Sequence, residues 1–439
     1  MSKILLKGAH VVDPVAGLNG VANVLVEDGV IKCVCTEACA NMAEIIKDAE
    51  VLDVSGKYLM PGLFDMHVHL REPGFEYRED IASGTRAAAH GGFTGVATMA
   101  NTNPVVDEGA VVKFVIDKAE AVGAVKVHPI GAITVDLKGK QMAEMNDMIK
   151  AGAVAFSDDG MGIQNPLLMR RAMEYAVVFD ALIIAHCEDE SLVDGGVVHE
   201  GLVATRLGVA GQPSLSESLQ VHRDIELARL TGARLHIAHV SAKESVDAIR
   251  AAKAAGDVRV TAEVTPHHLV LTEDDQDKTY DTNLRMNPPL RSKEDQAALI
   301  EALLDGTIDC VATDHAPHAP HEKELEFELC NPGTTGLETA LPLMITNFIA
   351  AGKMDWETLV DRMAHAPRRI LNLDPVTIAE GSAADITIVD PEKGFTVTKD
   401  WFYSKGKNSA FLGAQLKGAT TEVLVDGKIV LADGKITDV

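Results

Sequence analysis

Between residues 63 and 314 the chain repeats one rhythm, a short apolar run of strand length followed by a stretch with helical spacing. The runs are LFDMHVH (63–69), GVATMAN (95–101), VHPIGAIT (127–134), AVAFSDD (153–159), ALIIAH (181–186), RLHIAH (234–239), RVTAEVTPHH (259–268) and IDCVATD (308–314). Stretches such as DIASGTRAAAH (80–90), PLLMRRAMEYAVVF (166–179) and AKESVDAIRAAKAAG (242–256) read as the helices between them. Eight strands alternating with helices predict an α/β chain built as a (β/α)8, TIM-like barrel.

The two ends of the chain follow a different pattern. NVLVEDGVIKCV near the start, and ADITIVD with EVLVDGKIVLADGKITDV near the end, alternate apolar and polar residues around Asp-Gly turns. Neither end is long enough to enclose a core alone. The expected division is therefore residues 1–56 and 377–439 pairing into one small β-sandwich module, with the barrel at 57–376.

Composition changes this picture only at its edges. The net charge of −25 over 439 residues, with no run of Lys or Arg, argues against nucleic acid and anionic membrane surfaces as partners. No apolar stretch approaches the roughly 18 residues of a membrane span, and MSKILLKGAHVVD turns polar too early for a signal peptide. Six cysteines without a framework spacing fit a reducing, cytoplasmic setting, and the Cys33, Cys35 and Cys39 cluster lacks zinc-site spacing and reads as structural thiols.

Chemistry concentrates where the strands end. Active sites of such barrels lie at the C-terminal ends of the strands, and five of the eight end in metal-ligand types: His67 and His69, Asp159 or its neighbour Asp158, His186, His239 and Asp314. Side chains two apart on a strand share a face, so His67 and His69 can point into the mouth together. One histidine ending a strand is usually structural; four histidines and two aspartates ending strands of one barrel are better explained by metal. Imidazole and carboxylate ligands without thiolate suit zinc, with manganese, cobalt or iron as alternatives, and predict metal-assisted hydrolysis.

The order of these ligands resembles the amidohydrolase superfamily. DMHVHLREPG, GGFTGVATMANTNP, FSDDG, AHCED, TAEVTPHHL, RMNPPLR and ATDHAPH are similar to class I dihydroorotases, and the likeness covers nearly the whole chain. Many relatives carry a carboxylated lysine at the strand 4 position, whereas FSDDG offers only aspartates, as in one branch of class I.

The resemblance implies one or two Zn2+ per subunit. His67 and His69 would bind the first with Asp159 and Asp314, and His186 and His239 the second, with Asp159 bridging. It implies Asp314 as the catalytic base and acid, and Arg71, Asn101 and His318, beside His69, as the pocket for a substrate carboxylate. Asn287 would meet the pyrimidine ring, and Pro332 and Gly333 would stand where an aromatic-glycine pair often contacts substrate by backbone. The implied substrates are dihydroorotate and carbamoyl aspartate, and the implied partners a second copy of the chain and an aspartate transcarbamoylase.

Blander readings stand beside these. Arg71 could be a surface cation paired with Glu72 or Glu76, and Asn101 could merely shape a turn beside Pro104. His267 and His268 read as supporting or core residues and His315 and His321 as neighbours of the site. His10, His90, His199, His222 and His365 read as surface or structural. The acidic, irregular segment from His318 to Gly336 reads as a lid. Rival functions are allantoinase and dihydropyrimidinase or hydantoinase, and, from another class, a silent scaffold for aspartate transcarbamoylase.

Overall fold

The computed structural model describes residues 3–36, 48–276 and 280–437. Its central element is a ring of eight parallel strands. They are β1 (Leu63–Val68), β2 (Phe93–Thr98), β3 (Lys126–Pro129), β4 (Phe156–Ser157), β5 (Leu182–Ala185), β6 (Arg234–Ile237), β7 (Arg259–Val264) and β8 (Cys310–Val311). Ladders join β1 to β3 and β4 to β8. Bridges from Gly131 to Phe156 and from Val68 to His315 close the ring. Each strand overlaps an expected apolar run, although VHPIGAIT is strand only as far as Pro129, IDCVATD only at Cys310–Val311, and RVTAEVTPHH stops being strand at Val264 and continues as the helix Pro266–Val270.

Alternation along the strands divides their side chains between two cores. Phe64, Met66, Ala97, Leu182, Ile184 and Cys310 fill the barrel interior, while Leu63, Val96, Ile183 and Val311 pack outward against the helices. The interior is therefore a packed plug and leaves only the mouth for chemistry. The helices carry their own stop signals: Asp80 and Ser83 form a capping box on Ile81–His90, and Gly256, at φ 70°, ends Lys243–Ala255 in the left-handed region.

β1 contains an irregularity that matters for the site. Its register against β2 shifts between Asp65 and Val68. Simple alternation from Phe64 and Met66 would bring Val68 inward and turn His67 and His69 away. Past the shift Val68 joins the outer core, and both histidines belong to the mouth, which is the usual effect of one extra residue in a strand.

Both chain ends form one nine-stranded sheet. Hydrogen bonds run continuously through it, so the expected sandwich takes the form of a single sheet around its own core of Leu6, Val11, Val24, Ile31, Ile386 and Leu424. It includes Tyr58–Pro61, which pairs with both Lys3–Asp13 and Ile386–Thr396. The turns Asp28-Gly29, Asp426-Gly427 and Asp433-Gly434 have positive φ at both residues, the backbone a two-residue hairpin of right-handed twist requires. Alternate residues such as Val12, Met60 and Val423 face the barrel instead.

Cys33 is a free, half-buried thiol, and Cys39 lies outside the described residues. Cys35 is disulfide-bonded, which corrects the expectation of thiols throughout; side chains two apart share a strand face, and its sulfur sits 3.7 Å from that of Cys33. No helix among the described residues is long and apolar enough to cross a membrane.

Candidate active site at the barrel mouth

The six strand-end residues converge. Asp159 Oδ1 lies 3.4 Å from His67 Nε2, 3.4 Å from His186 Nδ1 and 3.5 Å from His239 Nε2, and its Oδ2 lies 3.5 Å from His69 Nε2. Asp314 Oδ1 is 2.9 Å from His69 Nε2 and 3.6 Å from His67 Nε2. Asp159 is thus the common neighbour of all four imidazoles. Asp158, the other candidate, turns away: its carboxylate accepts the backbone N–H groups of Ile133 and Thr134 and the Thr134 hydroxyl.

Three residues of the mouth hold backbone conformations that non-glycine residues rarely adopt: Arg71 at φ 62°, His239 at 32° and Asp314 at 48°. Such strain costs on the order of 1–3 kcal/mol per residue and persists where surrounding contacts over-determine it.

One of those contacts comes from Glu263 on β7, which inspection of strand ends missed. Its carboxylate is wholly buried, meets His67 Nδ1 at 2.6 Å and His236 Nε2 at 3.1 Å, and accepts the backbone N–H of His239 at 3.2 Å. It therefore fixes the ring of one strand-end histidine and the backbone of another. Asp65 is a second omission, accepting the backbone N–H groups of His67 and Thr313. The available signal for both was an acidic residue inside an otherwise apolar strand, an expensive placement without a partner. Asn101 is no mere turn former, since its side-chain oxygen lies 2.9 Å from His69 Nδ1.

The electrostatics call for a cation. Burial opposes ionising Asp159, yet His67, His186 and His239 hold its carboxyl well below the usual range. Burial likewise opposes charging His67, but Glu263 and Asp159 raise it well above the ordinary imidazole value. The carboxylates thus draw positive charge into a dry site. His67 Nε2 and Asp159 Oδ1 are buried and find no hydrogen-bond partner among the described residues, although nearly all buried polar atoms are paired. Nitrogen and oxygen donors aimed at one another's vicinity without being satisfied are the arrangement a divalent metal completes, and the groups His67, Asp159, His239 and His67, His69, Asp314 each lie close enough to share one ion.

Beside this cluster opens a cavity of about 430 Å3, lined among others by Arg71, Arg78, Asn101, Asn287, His318, Pro332 and Gly333. Arg71 is buried and donates from Nε to the Pro317 carbonyl at 3.3 Å. The surface-cation reading is thereby corrected, because Glu72 pairs with Lys118 and Glu76 accepts from Gly74. Burial and the neighbouring Arg78 lower the Arg71 pKa to about 10, which still leaves it charged at neutral pH. His318 donates from Nε2 to the Pro332 carbonyl at 2.9 Å, and burial and Arg71 lower it to about 2, so it stays neutral. Arg78 was not anticipated; it grips Glu322 through Nε at 2.9 Å and ties the loop after β1 to the loop after β8.

The remaining histidines sort cleanly. His267 and His268 are buried beside the site, His315 is buried 3.5 Å from Glu79, and His321 is exposed against Tyr77. His90 and His365 are buried against Glu338 and Asp13.

Comparison with known proteins agrees with this geometry. The model of the dihydro-orotase-like family matches residues 56–245. The chain is 53% identical over 431 residues to the dihydroorotase of Pelotomaculum thermopropionicum, covering 98% of this chain and 99% of that one. It is 47% identical to the dihydroorotase of Acetivibrio thermocellus, again over 98% of this chain and 99% of that one. Among solved structures, the L-hydantoinase (dihydropyrimidinase) of Arthrobacter aurescens superposes with a TM-score of 0.88 at 26% identity, over 100% of this chain and 98% of that one. The dihydropyrimidinase of Brevibacillus agri shares the fold at 23% identity, with a TM-score of 0.84 over 99% of this chain and 96% of that one. The α/β architecture is therefore common to several cyclic-amide hydrolases, but identity near one half along the full length separates them, and the chain belongs to the dihydroorotase family.

Proposed function

We propose that the barrel mouth interconverts N-carbamoyl-L-aspartate and L-dihydroorotate, with His67, His69, Asp159, His186, His239 and Asp314 holding one or two zinc ions. The observation that carries this reading is that the unsatisfied donor cluster and the buried Arg71 guanidinium line one cavity. Zinc, when bound, polarises the reacting carbonyl and activates water. With Asp159 as the shared anion, the site belongs to the aspartate branch of class I and requires no carboxylated lysine.

The chain's own residues supply the rest. In ring opening Asp314 takes a proton from the attacking water and returns it to the ring nitrogen as the carbon–nitrogen bond breaks; ring closure runs the same transfer backwards and releases water. Asp314 lines the cavity with its carboxylate held below the usual range, although burial opposes this, by His69, His67 and His239, so it is ionised and ready to accept. Arg71, with Asn101, receives the substrate carboxylate, for which a planar guanidinium fork is well matched; His318, neutral and committed through its Nε2–H to the Pro332 carbonyl, lines this pocket without donating to the carboxylate. Asn287 and the backbone of Pro332 and Gly333 bound the ring. Glu263 keeps Nε2 of His67 directed at the metal by engaging Nδ1, as carboxylates behind metal-bound imidazoles do.

The same reading takes the protein to work in the cytoplasm as a homodimer, with aspartate transcarbamoylase as an assembly partner; light scattering alone and with that partner tests the assembly. The activity itself is tested by turnover of dihydroorotate beside hydantoin, allantoin and dihydrouracil, with metal measured on the same sample. Dihydroorotate is the expected preferred substrate. A preference for hydantoin or dihydrouracil, or a metal-loaded protein inert on all four, would overturn the reading.

A further inference from the structure

The segment after β8 was expected to be a lid, yet one stretch of it is hydrogen-bonded at every carbonyl. Arg285 Nη1 donates to the Cys330 carbonyl, Lys323 Nζ to that of Asn331 at 2.7 Å, and His318 Nε2 to that of Pro332 at 2.9 Å. The Gly333 carbonyl accepts from Lys323 Nζ at 3.3 Å and from Asn408 Nδ2 at 3.1 Å. The backbone N–H of Gly333 is also engaged, by the Arg285 carbonyl at 2.8 Å. Asn331, Pro332 and Gly333 meanwhile line the active-site cavity.

Lys323 is the unusual member of this set. It sits on the short helix Pro320–Lys323 and is only 6% exposed, and among the described residues no carboxylate lies within ion-pair distance of it. Its ammonium is shared between two backbone oxygens. A buried ammonium without a counterion is costly, and a neutral side chain would pack there at less expense. Burial and Arg285 depress its pKa to about 8, against Cys330 and Asp281, which favour the charge. Gly333 itself leaves no room for a side chain: at φ 120° an added Cβ would approach the Ala316 Cβ to 2.7 Å.

We propose that Lys323 is a positioning residue for substrate binding: by gripping the Asn331 and Gly333 carbonyls from outside the cavity, it holds Asn331–Gly333 as a fixed wall against which the substrate ring is aligned. This rests on the reading that the cavity takes dihydroorotate. The wall is preorganised, so no binding energy is spent on ordering it.

The test compares wild type with Lys323→Met, which keeps the length and removes the charge and donors, and with Lys323→Gln, which keeps one donor group. Metal content, kcat and KM for dihydroorotate, and amide hydrogen exchange over residues 326–334 are measured on each metal-loaded protein. The expected result for Lys323→Met is a rise in KM of about tenfold or more, kcat within about twofold, unchanged metal content and faster exchange at Gly333. Lys323→Gln should fall between, and decides the matter if the Met variant does not fold. Unchanged KM with unchanged exchange overturns the proposal, as does an equal loss of kcat and metal, which would make Lys323 a general support of the fold. Wild-type turnover is measured first; its absence sinks the functional reading, and exchange at Gly333 then decides the Lys323 assignment by itself.

Discussion

The two sides of the active-site cavity are built by opposite means. On the proposed metal side, side chains project from the ends of barrel strands and are locked by other side chains, as Glu263 locks His67 and Asn101 meets His69. On the substrate side, Arg71 supplies a charged side chain, while a loop segment presents backbone to the cavity, its carbonyls held by Lys323 nearby in the chain and by Arg285 and Asn408 far from it. The difference suits the tasks. Metal ligation needs specific donor atoms at fixed distances, which strand ends provide, whereas a wall against a ring needs shape, which a pinned backbone provides. Changes on the first side should therefore be felt in metal content or kcat, and changes on the second in KM.

The largest effect should come from emptying the metal side altogether. Stripping with a chelator should abolish turnover, and zinc should restore it; full turnover in rigorously metal-free protein would contradict the whole division. Next comes Asp314→Asn, which keeps a ligand atom and loses the proton carrier. General acid and base catalysis typically contributes about 10² to 10⁴ in rate, so kcat should fall by that order while KM changes little. Near-normal turnover at unchanged metal content would remove Asp314 from its role.

Glu263→Gln sharpens the comparison because it reaches the metal side without touching substrate. The amide can still accept from His67, and His236 can switch tautomer to meet the new donor, so geometry is kept while the charge is lost. Zinc affinity should drop by about 10- to 100-fold, read by competition with a chromogenic chelator on the metal-free protein. An affinity equal to wild type would show that the carboxylate behind His67 is only a packing element.

The smallest effect should fall on neither side. Asp13, at the end of the first strand of the terminal sheet, joins His365 and the backbone N–H of Ile378. Burial pushes its carboxyl up, but His365, Ile378 and Ala16 together hold it below its ordinary value of 3.8. A carboxyl lowered by folding stabilises the native state above the unfolded-state pKa, and that contribution is lost as pH falls through the lower folded value. Acid unfolding of wild type should therefore steepen below about pH 4 relative to Asp13→Asn, with kcat and KM at neutral pH alike in both. Identical acid profiles would assign the Asp13 contact no net role.

How far the sequence alone reaches follows the same division. Strand ends such as ALIIAH and IDCVATD announce their candidate ligands because the continuous apolar run and the polar residue closing it are local signals. All eight strands and the sheet made by both ends were legible in that way, Asp-Gly turns included. The register shift in β1 was not, since it depends on the pairing with β2 and leaves no mark on the run itself. Glu263 was hidden because its partners His67 and His236 lie on other strands. The segment from His318 to Gly336 read as a lid because its composition is acidic and irregular; two of its anchors, Arg285 and Asn408, are far away along the chain. Local pattern thus finds donors, and only tertiary structure finds what holds them.

The central claim is that one side of the cavity does the chemistry and the other selects the substrate, and Arg71→Ala tests it most directly. Catalytic efficiency on dihydroorotate and on dihydrouracil, which has the same ring without the carboxylate, is to be measured with metal content on the same samples. Losing a charge-assisted contact worth about 1.5–3 kcal/mol should lower efficiency on dihydroorotate by roughly ten- to a hundredfold, leave dihydrouracil nearly unaffected, and leave the metal in place. Equal losses on both substrates, or loss of metal, would mean that Arg71 supports the metal side and that the two sides are not separate.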